Sequence, residues 1–206
     1  YRRSQGWSKT IKIFYFVAEF SRPFDSCDIE VDGQLLTGPQ QAKGIRVEAH
    51  PKFADTTKPI LVKVGLSPTS VENARANLAA EIPAWDFDGT VAAAEQEWSR
   101  ALGKIEIEAP DPATRETFYT ALYHTCMAPV LFNNVDGSYR GLDGLNHPGE
   151  GFANYSTFSL WDTFRTEHTL LTIVQPQRVD DFVGSLLAHY RQFGQHNLPV
   201  WSFAGV

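Results

Sequence analysis

The hydrophobic period of this chain switches near Ser67, and that switch limits the folds open to it. Upstream, β-branched and aromatic residues gather in short runs bounded by turn residues: TIKIFYFVAEF, CDIEVDGQLL, GIRVEAHP and PILVKVGLS. Runs of that length and composition fit a pleated sheet. The second run passes through Asp32-Gly33, a dipeptide that accepts the positive φ of a tight hairpin, and KFADTTKP separates the last two as a turn. Four such strands predict an antiparallel sheet belonging to a β-sandwich.

Downstream the apolar residues recur every three or four positions, as on a buried helix face. SPTSVENARANLAAEI carries Val71, Ala74, Leu78 and Ile82 in that pattern, with Ser70 as N-cap and Pro83 as a stop. FDGTVAAAEQEWSRALGKI repeats the pattern through Val91, Ala94, Trp98 and Leu102, with Asp88 or Thr90 near its start and Gly103 near its end. KIEIEA reads as a short β-like piece. Ala113 to Met127 reads as a third helix, with Phe118, Tyr119, Leu122 and Tyr123 facing one core. FSLWDTFRTEHTLLTIV predicts a fourth, ended by Pro176. PQRVDDFVGSLLAHYRQFG predicts a fifth, burying Val179, Phe182, Val183, Leu186, Leu187 and Tyr190. Strands, then a helical connector, then helices joined by long polar loops imply an α+β chain of two architectures, divided at about residues 68–109.

Charge and composition remove several function classes. With 43% hydrophobic residues in 206, a sizeable core can form. The net charge of −6, with both signs interspersed, lacks the basic face of a nucleic-acid binder. No uncharged stretch is long enough to span a bilayer. The opening YRRSQGWSKT has no apolar signal core, and the chain reads as a segment of something longer. Cys27 and Cys126 are far apart and lack metal-ligand spacing; two free buried thiols are favoured over a disulfide between them, and cysteine usage does not decide the compartment.

Among candidate sites, Trp161, Asp162 and Arg165 stand out. At i and i+3, Asp162 and Arg165 share a helix face, where they either pair with one another or address a polar ligand. A carboxylate accepts from adjacent sugar hydroxyls and a guanidinium donates in a fixed fork. Trp161 either offers its face to a sugar ring or packs in a core. The loop NNVDGSYRGLDG holds Asp136 and Asp143, but its spacing is not that of an EF-hand, and turn roles are expected. Of six histidines, His124 and His168 fall on apolar helices and read as core; His147 and His196 fall in loops that can line a pocket. No zincin, nucleophile-elbow, P-loop or dinucleotide motif is present. Glu150, Asp162 and Glu167 are available for glycoside chemistry, though their spacing selects no pair.

FYTALYHTCMAPVLFNNVDGSYRG, GFANYSTFSLWDTFRTEHTLLTIVQPQR and LPVW resemble the calcium-dependent α-mannosidases of glycoside hydrolase family 92. KIFYFVAEFSRPF, VKVGLSPTSVENARANLAAEIPAWDFD and the tryptophan before LGKIEIE follow that family's order upstream. The resemblance implies an N-terminal β-sandwich (here 1–67), a helical linker (68–109) and the first helices of an (α/α)6 barrel (110–206). It implies an inverting exo-α-mannosidase that removes terminal α-linked mannose, secreted or periplasmic, with Ca2+ assisting. Asp162 and Arg165, with Trp161 in the same motif, are carried over as substrate-binding residues. The family's acid, base and most calcium ligands belong to motifs not found in this chain, so no catalytic or metal residue is assigned and the isolated chain is expected to be inactive. Ser202 stands where many relatives have an acidic residue, a position that bears either on linkage and leaving group, including mannose-phosphate caps, or on packing alone. Two other readings stay open: a non-catalytic carbohydrate-binding module using Trp7, Phe14 and Tyr15, and a helical scaffold.

Overall fold

The computed structural model describes residues 2–5, 11–38, 41–55, 57–149, 151–194, 196–198 and 201–202. The chain divides into two compact units, one formed by Ala18–Val64 and the other by Tyr1–Val17 with Gly65–Val206.

Six strands come first: β1 (Arg2–Gln5), β2 (Ile11–Phe20), β3 (Ser26–Val31), β4 (Gln34–Leu36), β5 (Val47–Lys52) and β6 (Val62–Ser67). All four expected runs form strands. β1 is an addition: its residues are polar, and it forms by pairing antiparallel with β2, Arg2 opposite Phe14. β1, β2 and β6 make one three-stranded sheet, in that order, and β4, β3 and β5 another. Asp32 and Gly33, both at positive φ, close the β3–β4 hairpin as the dipeptide predicts. Strand alternation in β3 and β5 puts Asp28, Glu30, Glu48, His50 and Lys52 on one face.

Helix α1 (Val71–Glu81) follows, capped by Ser70, whose hydroxyl accepts from the Asn73 amide. Its buried face is Ala74 and Leu78, which pack on Val17 with Ile82 alongside. Val71, expected in that stripe, is 38% exposed and falls outside the buried face. α2 (Phe87–Leu102) is capped by Asp86, not by Asp88 or Thr90. Its expected stripe is not buried: Val91 and Trp98 are exposed, and Trp98 packs on Tyr123 at 4.6 Å between ring centroids. That helix packs against α3 (Pro112–Thr125). KIEIEA forms no ladder; Ile105 uses its side chain to reach the main core, and its carbonyl accepts from the Tyr119 hydroxyl.

The long polar loop is more ordered than its composition implies. β7 (Val130–Leu131) pairs with β10 (Tyr155–Ser156), and β8 (Tyr139–Arg140) with β9 (Asn146–His147). Asn134 sits at its base, 1% exposed. Its amide oxygen accepts from Ser67 and Asn77, and its nitrogen donates to Thr69 and Ser138. Every polar atom of the buried amide is thereby matched, which is what allows it to be buried.

The fourth expected helix is broken into β11 (Phe158–Ser159), α4 (Leu160–Thr163) and α5 (Glu167–Val174). No glycine or proline marks the break. The first two residues of the expected helix leave it because Phe158 and Ser159 pair with β12 (Trp201–Ser202), a partner distant in sequence, and a turn at 164–166 divides the rest. α6 (Val179–Gln192) follows a 3-10 turn at Pro176–Arg178. Its buried face is Phe182, Ser185, Ala188 and His189, while Val183, Leu187 and Tyr190 stay exposed. Tyr155, Phe158, Leu171, Val174 and Phe182 form the main core, joining α5, α6 and the short strands. The result is a mixed architecture of sheets followed by helices, consistent with a partial β-sandwich and a helical region.

Candidate functional site

Because α4 ends at Thr163, Asp162 and Arg165 do not share a regular helix face. Asp162 is exposed, and its Oδ2 accepts from the Ser159 hydroxyl. Arg165 lies in the turn between α4 and α5, exposed, with its guanidinium over the Phe164 ring at 5.2 Å. Among the described residues the two form no ion pair with each other. Trp161 is 62% exposed, so the core alternative does not hold for it. Its ring meets Trp201 edge-on at 5.4 Å. Trp201 in turn donates its indole N–H to Ser159 Oγ at 3.0 Å. Three exposed groups of different chemistry, an anion, a cation and an aromatic face, thus cluster around one short segment, and the β11–β12 ladder anchors it.

The other candidates resolve in other ways. Asp136 closes its turn, accepting from the amide and hydroxyl of Ser138, and those bonds hold its carboxyl below the usual range. Asp143 accepts from the Leu145 amide and from His147 at 3.0 Å. His147 stacks on Tyr139, so it serves the loop fold. His124 is exposed, not core, because the last turn of α3 points it outward. His168 is half-buried beside Phe158, and its Nε2 has no hydrogen-bond partner among the described residues, so it is not a satisfied core histidine. Burial lowers its pKa. Burial raises the Glu167 carboxyl. Glu150 and Trp7 lie outside the described residues. Phe14 and Tyr15 are half-buried, and Phe14 packs edge-on against Phe132, so it offers no open sugar platform. Cys27 and Cys126 are both free thiols.

Sequence reasoning missed one set of ligating groups and one partner of the candidate site. Glu30, Glu48 and His50 can hold a metal ion: the imidazole Nε2 is 3.9 Å from a carboxylate oxygen of each glutamate. Cross-strand registry was the signal needed to find them, since Glu30 and Glu48 stand directly opposite each other. The cluster does not fit calcium, which takes six to eight oxygen ligands. It offers one imidazole and two carboxylates, and Glu48 is also bound by Arg46 at 2.6 Å. Asp136 and Asp143 are committed to turns. Among the described residues no other group of three or more His, Cys, Asp or Glu side chains comes together in this way. The missed partner is Ser159, a residue whose role depends on Trp201, 42 positions away. No helix among the described residues is long and apolar enough to cross a membrane.

The Glycosyl hydrolase family 92 catalytic domain matches residues 73–206. No curated protein matches the chain. Among solved structures, a family GH92 α-mannosidase from Bacteroides thetaiotaomicron superposes with a TM-score of 0.83 at 33% identity, covering 95% of this chain and 27% of its own. The same α-mannosidase in complex with mannoimidazole gives the same TM-score and identity. A family GH92 inverting mannosidase from Bacteroides thetaiotaomicron VPI-5482 superposes at 0.83 and 27% identity, covering 91% of this chain and 26% of its own. The chain thus spans about a quarter of the length of these structures. The matched region contains the Trp161–Arg165 segment, most of α1 and the helices that carry the core, and on that match the chain belongs to glycosyl hydrolase family 92.

Proposed function

We propose that this chain is part of an inverting exo-α-mannosidase that removes terminal α-linked mannose from glycans, and that Trp161, Asp162 and Arg165 hold the terminal sugar. The observation that carries the reading is that Asp162 and Arg165 are both exposed, three residues apart on one segment and without neutralising each other, and that the indole of Trp161 on the same segment is exposed too. Two opposite charges left apart on one segment are free to meet polar groups of a ligand. A carboxylate accepts from vicinal hydroxyls, the guanidinium donates to ring or hydroxyl oxygens, and the indole covers the apolar face of the hexose.

Residues 1–67 are read as part of a β-sandwich, 68–109 as a helical linker and 110–206 as the first helices of an (α/α)6 barrel. The general acid, the general base and most of the calcium ligands then come from the portion of the relatives' length that this chain does not span. In inversion, the acid protonates the leaving oxygen while the base activates water on the opposite face of the ring. The role of the present residues is to hold the sugar still between those two groups. A glycan substrate is consistent with a secreted or periplasmic enzyme.

The test is Asp162→Ala in the full-length protein, assayed on α-1,2, α-1,3, α-1,6 and phosphate-linked mannosides. Loss of a charged acceptor is expected to lower kcat/KM by about a hundredfold on the preferred mannoside. Wild-type kcat/KM in the variant sinks the site assignment. Mannoside binding with no turnover by the full-length wild type supports a carbohydrate-binding module instead.

A further inference from the structure

Ser159 occupies the N-cap position of α4, yet its side chain makes no cap hydrogen bond. A serine there ordinarily accepts from an amide in the first turn. Here the hydroxyl is used otherwise. Trp201 Nε1, which can only donate, gives its proton to Ser159 Oγ at 3.0 Å. The single hydroxyl proton of Ser159 goes to Asp162 Oδ2. The direction of this chain is therefore fixed: indole to hydroxyl to carboxylate. The backbone supports it, because Ser159 and Trp201 are directly opposed in the β11–β12 ladder. Thr163 adds a hydroxyl bond to the Ser159 carbonyl at 3.0 Å.

We propose that Ser159 is a positioning residue for Asp162, and that Trp201 orients Ser159. The inference rests on the reading of Asp162 as the sugar's acceptor. An exposed aspartate otherwise samples several rotamers, and each must be frozen when ligand binds. With Oδ2 held by Ser159, Oδ1 has no described partner and keeps a fixed direction for a ligand hydroxyl. Polarisation along the chain strengthens each bond. Trp201 also touches the Trp161 ring, so the same indole that orients the acid braces the aromatic face.

Four variants of the full-length protein test this: Ser159→Ala, Ser159→Thr, Trp201→Phe and the Ser159→Ala/Trp201→Phe double, each assayed for kcat/KM on the preferred mannoside. Ser159→Ala is expected to lower kcat/KM about tenfold, the usual cost of a hydrogen bond to a charged group. Ser159→Thr, which keeps the hydroxyl, is expected to recover most of that loss. Trp201→Phe, which keeps a ring against Trp161 and removes only the indole N–H, is expected to cost roughly threefold alone and, in the Ser159→Ala background, nothing further, since linked groups are non-additive. Wild-type activity in Ser159→Ala, no recovery by Ser159→Thr, or full additivity in the double variant each overturns the proposal. Should Ser159→Ala fail to fold, Trp201→Phe and Ser159→Thr carry the test: wild-type activity in the first with a Thr variant tenfold impaired overturns it. An impaired Asp162→Ala beside an unimpaired Ser159→Ala rejects the positioning role alone; an unimpaired Asp162→Ala rejects the sugar reading beneath it.

Discussion

His189 lies on the buried face of α6, 1% exposed, with Nδ1 unpartnered among the described residues and the ring edge-on to Phe158 at 5.8 Å. Nothing compensates a charge there, so burial depresses its pKa from 6.5 to about 4. The unfolded chain binds a proton near its ordinary value, while the native state refuses it until about pH 4. Stability is therefore complete above pH 6.5 and declines as pH falls toward 4, by about 3 kcal/mol for a shift of this size. His168, depressed in the same direction on the other side of Phe158, adds to the same limb. His189→Leu is expected to flatten the fall in Tm between pH 7 and pH 4. An unchanged acid limb would show that the buried imidazole is not its source. At this scale the residue types of the candidate site were legible in the sequence: Trp161, Asp162 and Arg165 are an unusual trio in an apolar run. Ser159 was not, because a serine before a helix reads as a cap until its hydroxyl is seen turned toward Asp162.

At the scale of elements, the packing of α1 on the strand before it depends on Gly65. A Cβ at this position would run into the Ala74 carbonyl oxygen and come within 2.7 Å of Leu78 Cβ. One of those contacts is backbone, so the helix itself must move. Gly65→Ala is expected to destabilise the protein by roughly 1–3 kcal/mol, an overpacking cost measurable by chemical denaturation. A variant as stable as wild type would mean that α1 shifts freely. Helix existence was well read from periodicity, and Ser70 from cap chemistry. The broken helix at 158–174 was not readable. Its local signals favour one continuous helix, and the competing β11–β12 pairing is a contact across 42 residues. The buried face of α6 was also misplaced, because Val183, Leu187 and Tyr190 give it apolar residues on more than one side, and periodicity does not say which side is covered.

For the whole molecule, the metal question belongs to the full-length protein: Glu30, Glu48 and His50 are the group of His, Cys, Asp or Glu ligands that meets among the described residues, and it does not fit calcium. Chelation of the full-length enzyme is expected to abolish mannoside hydrolysis, with recovery on adding calcium. Full activity after chelation would remove the metal from the mechanism. Sequence alone determined the order of architectures, the strand runs, the family and the chemical types at the candidate site, because period, turn residues and motif composition are local properties of the chain. Tertiary structure decided whether Asp162 and Arg165 neutralise each other, which face of each helix is covered, and that Glu30, Glu48 and His50 meet. Those outcomes turn on pairings between residues far apart in the chain, where burial and strand registry outweigh local preference.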